Sequence, residues 1–383
     1  MSNSTQHIPI YDAAIIGGGL AGLSLSIQLA KKGYSVILFE KETYPFHKVC
    51  GEYISMESWD FVRSLGVDLD ALNVSHIHQL TISAPNGNLL KHRLPLGGFG
   101  ISRYLLDDTL VQIARTTGVI IKENTKITDI FFGDDIFTIQ DGEKICTVKV
   151  VCGSFGKRSN LDVKWKRPFA IAAKNNTNNY VGVKYHVKAD LPADTISLHN
   201  FQDGYCGISK IEDGRYCLCY LTTANNLKKS NGNIKVMEQN ILSQNPHLKN
   251  IFSSVDLLYD APLTISQISF DKKSQTDGHI LFIGDAAGMI TPLCGNGMSM
   301  ALHGSKLAFE QVLAFLQKNI SRKEMENRYT QEWNINFSKR LRSGRMIQRL
   351  FGNKMVTNIF IGLMKPFPKL VNFLIKQTHG KAF

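Results

Sequence analysis

No stretch of the 383-residue chain offers the roughly 18 to 20 uninterrupted apolar residues that a bilayer-crossing helix needs, so no spanning helix is expected. Cysteine is sparse: Cys50, Cys146, Cys152, Cys206, Cys217, Cys219 and Cys294 are odd in number and scattered, without C-x-x-C or zinc-like His/Cys spacing. That argues against a disulfide framework and a structural metal, and points to free thiols in a reducing, cytoplasmic setting. Cys217 and Cys219, two apart on a strand-like run, share one face and read as small buried side chains. Internal repeats and low-complexity tracts are missing. The polar start MSNSTQHIPIYD has no apolar core of the kind a signal peptide carries. Acidic residues are missing altogether after Glu332, where Lys339, Arg340, Arg342, Arg345, Arg349, Lys354, Lys365, Lys369, Lys376 and Lys381 follow. The net charge is +12, so almost all of the excess sits in this tail and the body is close to neutral. No nucleic-acid module accompanies the basic residues, and nucleic acid is not an expected partner.

What is present reads as a globular enzyme-sized chain, 43% hydrophobic and 20% charged. Residues 12–16 (DAAII) suit a buried parallel strand, followed by GGGLAG, the helical run LSLSIQLAKK stopped at Gly33, and the strand SVILFE (35–40). This is a complete βαβ unit. Asn86-Gly87 marks a hairpin, DDTLVQIARTTG a helix, and ITDIFF, IFTIQ and KICTVKVVCG a three-stranded meander. Alternating runs between 180 and 221 predict a second, antiparallel sheet. A helix near 233–243, the strand HILFIGD and a helix over 297–317 follow, and 322–383 reads as helical, broken at Pro366 and Pro368. The expected class is α/β: a discontinuous Rossmann-type domain (1–75, 98–164 and 270–321), an inserted antiparallel substrate domain (76–97 and 165–269) and a basic helical C-terminal region (322–383).

In Gly17-Gly18-Gly19-Leu20-Ala21-Gly22 the G-x-G-x-x-G positions are Gly17, Gly19 and Gly22. They allow a tight turn, approach of a diphosphate to backbone amides, and close packing of helix on strand, with the helix N-terminus facing the anion. Glu40 stands 21 residues beyond Gly19, where a carboxylate can accept the hydroxyls of an adenosine ribose. A dinucleotide site follows. The stretch LFIGDAAGMITPLCGNG (281–297) favours FAD over NAD. Asp285, after Gly284, can accept from a ribityl chain, while the loop Pro292, Gly295, Asn296 and Gly297 brings backbone amides to the pyrimidine edge of a flavin.

The N-terminal block, the pair Glu40-Lys41, K-x-C-G-E at Lys48, Cys50, Gly51 and Glu52, and ISRYLLDDTL (101–110) resemble the geranylgeranyl-reductase branch of the group A flavin monooxygenase superfamily. The likeness spans roughly residues 10–320. It implies an FAD-dependent oxidoreductase with NADPH or NADH as electron donor, Arg103 beside the flavin linker, and Cys50 near the flavin ring. Cys50 either assists proton delivery or only packs there, with Gly51 permitting close approach and Glu52 contacting cofactor or loop backbone. His47 and Lys48 read as loop surface or phosphate-side contacts. Two departures stand out. VVCGSFGKRSN has Phe155 where the superfamily's Asp-Gly would link FAD to nicotinamide binding, and GYCGISKIEDG keeps Tyr205 of a Y-x-W-x-F-P substrate motif but has Gly207 for its tryptophan. The W-x-W-x-I-P motif of flavin-dependent halogenases is missing too.

The leading expectation is monooxygenation of a lipophilic small molecule by a flavin peroxide, with Tyr205 near the substrate. C=C reduction is the alternative, and a non-redox lipid-binding chaperone on a related scaffold is the reading from another class. The tail interleaves its charges with apolar residues, so an anionic membrane surface is a candidate partner, making the protein peripheral to a membrane; a basic helical cap packed on the FAD-binding domain is the alternative.

Overall fold

The computed structural model describes residues 10–142, 144–172 and 180–383. The polar opening stretch lies largely outside them. Strands of three residues or more are β1 (Ile10–Ile16), β2 (Val36–Phe39), β3 (Tyr53–Ser55), β4 (Ser75–Ser83), β5 (Leu89–Gly100), β6 (Ile120–Lys122), β7 (Asp129–Gly133), β8 (Ile136–Gln140), β9 (Lys144–Gly153), β10 (Tyr180–Lys188), β11 (Thr195–Phe201), β12 (Gly204–Lys210), β13 (Tyr216–Thr223), β14 (Leu263–Ile268) and β15 (Ile280–Phe282). Helices longer than ten residues are α1 (Leu20–Ala30), α2 (Arg103–Thr116), α3 (Gly297–Leu316), α4 (Arg322–Leu350), α5 (Lys354–Met364) and α6 (Pro368–Thr378).

The first sheet runs β15-β9-β1-β2-β6, all parallel, with Ala13 opposite Val36 and Ala14 opposite Val151. Its central strands are apolar on both faces because helices cover both sides, and Ala13, Ala14, Ile15 and Leu38 are fully buried. The meander β7-β8-β9 forms as its alternation predicts, and the C-terminal half of β9 continues into the parallel sheet.

The second sheet runs β10-β13-β12-β11-β4-β5-β3, with β14 on the outer side of β10. It corrects the all-antiparallel expectation at one place, since β11 pairs with β4 in parallel, Thr195 opposite Gln79. The hairpin β4–β5 and the later hairpins are separated by about a hundred residues, and their meeting edges happen to run the same way. Short β3 joins this sheet through β5, although it follows directly on the loop of the first layer.

The tail departs from expectation too. Besides the stop before Pro368, the helix breaks at Phe351-Gly352-Asn353, where Gly352 has φ +94° and Asn353 caps α5 through its side chain. The glycine turns α5 and α6 back onto the second sheet. Ile361 and Val371 pack there against Ala84 and Leu90, and His92 Nε2 lies 2.7 Å from Asn372 Oδ1. No helix among the described residues is long and apolar enough to cross a membrane.

Candidate active site

Between the two sheets lies one cavity of about 1050 Å³. At its polar end the chain leaves β1 through Gly17, whose φ of +106° and tight approach to Ser154 suit only glycine: a Cβ there would lie 2.5 Å from the Ser154 carbonyl oxygen. Gly17, Gly19, Leu20 and Ala21 line the cavity. Gly22 does not; a Cβ on it would strike the Gly17 carbonyl, which is the packing role its position implies. Glu40, at the end of β2, accepts from the Gly18 amide at 2.8 Å and lines the same end. Lys41 stands at the rim, paired with Glu42 at 3.0 Å and largely exposed. Arg103 opens α2 and grips Asp107 with two hydrogen bonds of 2.8 Å, and Lys48 reaches the same carboxylate at 2.9 Å. Burial pushes the Asp107 carboxyl up, yet Arg103 and Lys48 outweigh that and hold it below the usual carboxylate range.

From the far side, Gly284, Asp285, Pro292, Gly295 and Gly297 line the cavity; Asn296 does not, being fully buried and donating to the Thr378 carbonyl at 2.8 Å. Gly295, at φ +62°, makes the turn into α3. The Asp285 carboxylate accepts no hydrogen bond from the described residues, and burial raises its pKa against the pull of Lys273 and Arg103. A half-buried acid that lines the cavity, its carboxylate accepting nothing from the described residues, is the observation that fits the residues to FAD, whose ribityl hydroxyls would supply donors. Lys273 donates to the backbone carbonyls of Asp285 and Lys157 at 2.7 Å each, and burial lowers its pKa to about 8. Phe155 lines the cavity and packs on Phe282 and Trp165 at 5.9 and 6.4 Å.

Cys50, Gly51 and Glu52 border the cavity where the two layers meet. Burial pushes the Cys50 thiol up, so it remains protonated near neutrality, and its carbonyl accepts from the Cys217 thiol at 3.2 Å. Glu52 is fully buried with φ +54°. Its carboxylate accepts from the Arg103 amide at 2.7 Å and from Lys184 at 2.5 Å, and lies 2.6 Å from His186 Nε2. The backbone amide that Glu52 meets is that of Arg103 at the start of α2, outside its own loop. Burial pushes Glu52 up, but His186 and Lys184 outweigh it and hold it below the usual range. Glu52, His186 and Cys217 bring three potential metal ligands within 4.8 Å. Lys184 already neutralises the carboxylate, and burial keeps the Cys217 thiol protonated, which disfavours a cation there. His47 stacks on Tyr104 at 4.5 Å and sits 3.1 Å from the Tyr259 hydroxyl, next to His186.

The other end of the cavity is apolar. Leu80, Ile82, Leu94, Leu198, Tyr205 and Leu221 from the second sheet face Phe351, Ile361, Val371, Leu374 and Ile375 from the tail, and among the described residues no Lys, Arg, Asp or Glu comes from either wall. Gly207, which stands in place of the tryptophan, also lines it.

Several site residues escaped sequence reasoning. Lys184 and His186 are two apart in the strand run VGVKYHVK, and polar groups on one face of an otherwise apolar strand were the available signal. Tyr44, whose hydroxyl donates to the Gly18 carbonyl at 2.5 Å, carries no motif. The tail's part in the cavity was hidden because only folding brings Phe351 to Ile375 over β4 and β5.

Comparison with known proteins agrees with this geometry. Residues 10–165 match a family model described as an FAD binding domain. The conditioned medium factor receptor 1 of Dictyostelium discoideum is 28% identical, over 86% of this chain and 68% of its own length. A digeranylgeranylglycerophospholipid reductase 1 of Methanococcoides burtonii is 23% identical over 89% and 84%. Among solved structures, the flavin-dependent brominase Bmp2 superposes with a TM-score of 0.79 at 21% identity, covering 98% of this chain and 94% of that one. That likeness gives the fold alone; FAD rests on the family model over residues 10–165.

Proposed function

We propose that this chain, an FAD-dependent oxidoreductase, is a monooxygenase acting on a lipophilic small molecule, with NADPH or NADH as electron donor. The observation that carries the reading is the two-ended cavity, polar and glycine-lined in the first layer and, among the described residues, without Lys, Arg, Asp or Glu along its sheet and tail walls. FAD, when bound, supplies the electron transfer and the activation of oxygen. The chain's own residues bind and orient. The Gly17–Gly22 turn and the start of α1 suit a diphosphate, Glu40 a ribose and Asp285 a ribityl chain, while Arg103 offers positive charge beside the linker. Lys41, Lys48, Gly51, Glu52, Pro292, Gly295, Asn296 and Gly297 belong to the same cofactor assignment, with Asn296 acting through loop shape because it does not line the cavity. The apolar walls exclude water, and Tyr205 and Gly207 border the space offered to substrate, Gly207 leaving room for a bulky or aromatic group.

C=C reduction is the second reading, favoured by the protonated Cys50 thiol at the junction of the two ends, since hydrogenation needs a proton as well as a hydride. One experiment separates them. The purified protein should be yellow with one noncovalent FAD per chain, and NADPH or NADH should bleach it anaerobically. Isoprenoid alcohols and long-chain aromatic substrates are then offered with labelled oxygen. Label in the product supports monooxygenation; saturated product without oxygen supports the reductase; a protein that is never reduced by either donor overturns the donor assignment.

A further inference from the structure

The tail helices α5 and α6 are apolar on two sides. Their inner residues, Ile361 and Val371, are buried against the second sheet, and Leu374 and Ile375 line the cavity. Their outer residues, Met355, Ile359, Leu363, Phe367, Leu370 and Phe373, are all exposed, Met355 by 73% and Phe373 by 56%. The spacing explains this: Met355, Ile359 and Leu363 recur every four residues on α5, and Leu370 and Phe373 lie three apart on α6. A helix pair apolar on both sides is half-partnered in water. Exposed Lys354, Lys365, Lys369 and Lys376 stand among these residues, and none forms an ion pair with the described residues. No acid occurs from Trp333 onward to reverse the sign.

We propose that this outer face docks on an anionic lipid membrane, α5 and α6 lying in the interface with lysines at the headgroups and the apolar stripe below them. Charge complementarity selects this occupant: an unbroken positive field around an apolar stripe suits an anionic bilayer, whereas a second copy of this face would bring like charges together. Each helix has 11 residues, about 16 Å at 1.5 Å per residue, about half of a hydrocarbon core, so neither spans it. Docking would set the apolar end of the cavity directly behind the lipid-facing helices. That last consequence rests on the lipophilic-substrate reading; the docking itself does not.

The test is sedimentation of the full-length, FAD-loaded protein with vesicles of phosphatidylglycerol and phosphatidylcholine, or of phosphatidylcholine alone, at low and high salt. Two variants, Ile359→Ser/Phe373→Ser and Lys365→Gln/Lys369→Gln/Lys376→Gln, change only exposed side chains, and FAD content and melting report that they fold. Binding should require the anionic lipid and fall at high salt. The serine pair should weaken it at least tenfold, and the triple variant by about fivefold for each lysine removed. Equal binding to neutral vesicles, no binding, or binding unchanged in both variants overturns the proposal, as does concentration-dependent self-association abolished by the serine pair. A failure of the flavin chemistry would instead appear as lost FAD or lost reduction, with sedimentation unaffected.

Discussion

Glu52 lines the cavity and pairs with Lys184, His186 Nε2 lies against the same carboxylate, and all three side chains are at most 1% exposed. Such a pair is costly to desolvate, and removing one partner leaves the other charge stranded. Lys184→Met is therefore expected to destabilise the fold by about 3 to 5 kcal/mol in urea unfolding. The pH dependence follows from the direction of the Glu52 shift. Its folded pKa lies below the ordinary 4.5, so its contribution is complete above that value and is lost as pH falls through the folded one. Unfolding free energies measured from pH 6 down to the acid limit should fall more steeply in wild type than in Glu52→Gln. Equal slopes would mean that the carboxylate is not held ionised in the folded state. Cys50 admits a separate test. Cys50→Ser should shift the flavin absorption or potential while FAD stays bound, and a proton-delivering thiol would also cost about 10²-fold in turnover. An unchanged spectrum, potential and rate together would remove Cys50 from the flavin's surroundings.

At the scale of elements, two loops at strand ends and one chain reversal make the cavity. The turn after β1 and the loop before α3 both sit at C-terminal ends of parallel strands, where the chain leaves the sheet and backbone amides are unpaired. The loop before α3 carries Asp285, whose carboxylate accepts no hydrogen bond from the described residues and so is open to a ligand's donors. Asp285→Ala should remove charge-assisted hydrogen bonds worth about 1.5 to 3 kcal/mol each, weakening FAD at least tenfold in a fluorescence titration. Wild-type affinity would refute the assignment. The reversal at Gly352 has a different consequence, because it folds the apolar tail helices back as a wall. α4 itself stays with the first layer: Tyr329 donates to the Phe282 carbonyl at 2.6 Å, and Phe337 is fully buried against that core.

Across the whole molecule, the cavity belongs to no single layer. The first sheet supplies the glycine loops, the second sheet the apolar floor, and the tail the opposing wall. The parts are tied by buried polar contacts. Glu57 accepts from the Gly380 amide and pairs with Arg340 at 3.4 Å, Asn296 holds Thr378, and Phe383 stacks on His303 at 4.2 Å. One tail charge, Arg340, is thereby spent inside the fold, while the lysines of α5 and α6 remain outside. Burial raises the Glu57 carboxyl against the opposing pull of Arg340.

The βαβ unit, the glycine turn, Glu40, Asp285 and the meander were legible because each depends on residues close in sequence: periodicity, turn chemistry and one capping or accepting group at fixed spacing. The second sheet's strands were legible for the same reason. Their order was not, since alternation says which face is buried and nothing about which edges meet, and the parallel β11–β4 pairing lies there. Glu52 illustrates the limit at a single residue. Its motif led to the expectation of a cofactor or loop contact, but its side-chain partners Lys184 and His186 come from β10, more than 130 residues later, and only the packing of the two layers makes them one cluster. The tail shows the same limit on a larger scale. Sequence could count its lysines and apolar residues; which of them face the cavity, the core or the solvent is set by the turn at Gly352 and by the surface of the second sheet, because burial is a property of contacts between distant parts of the chain.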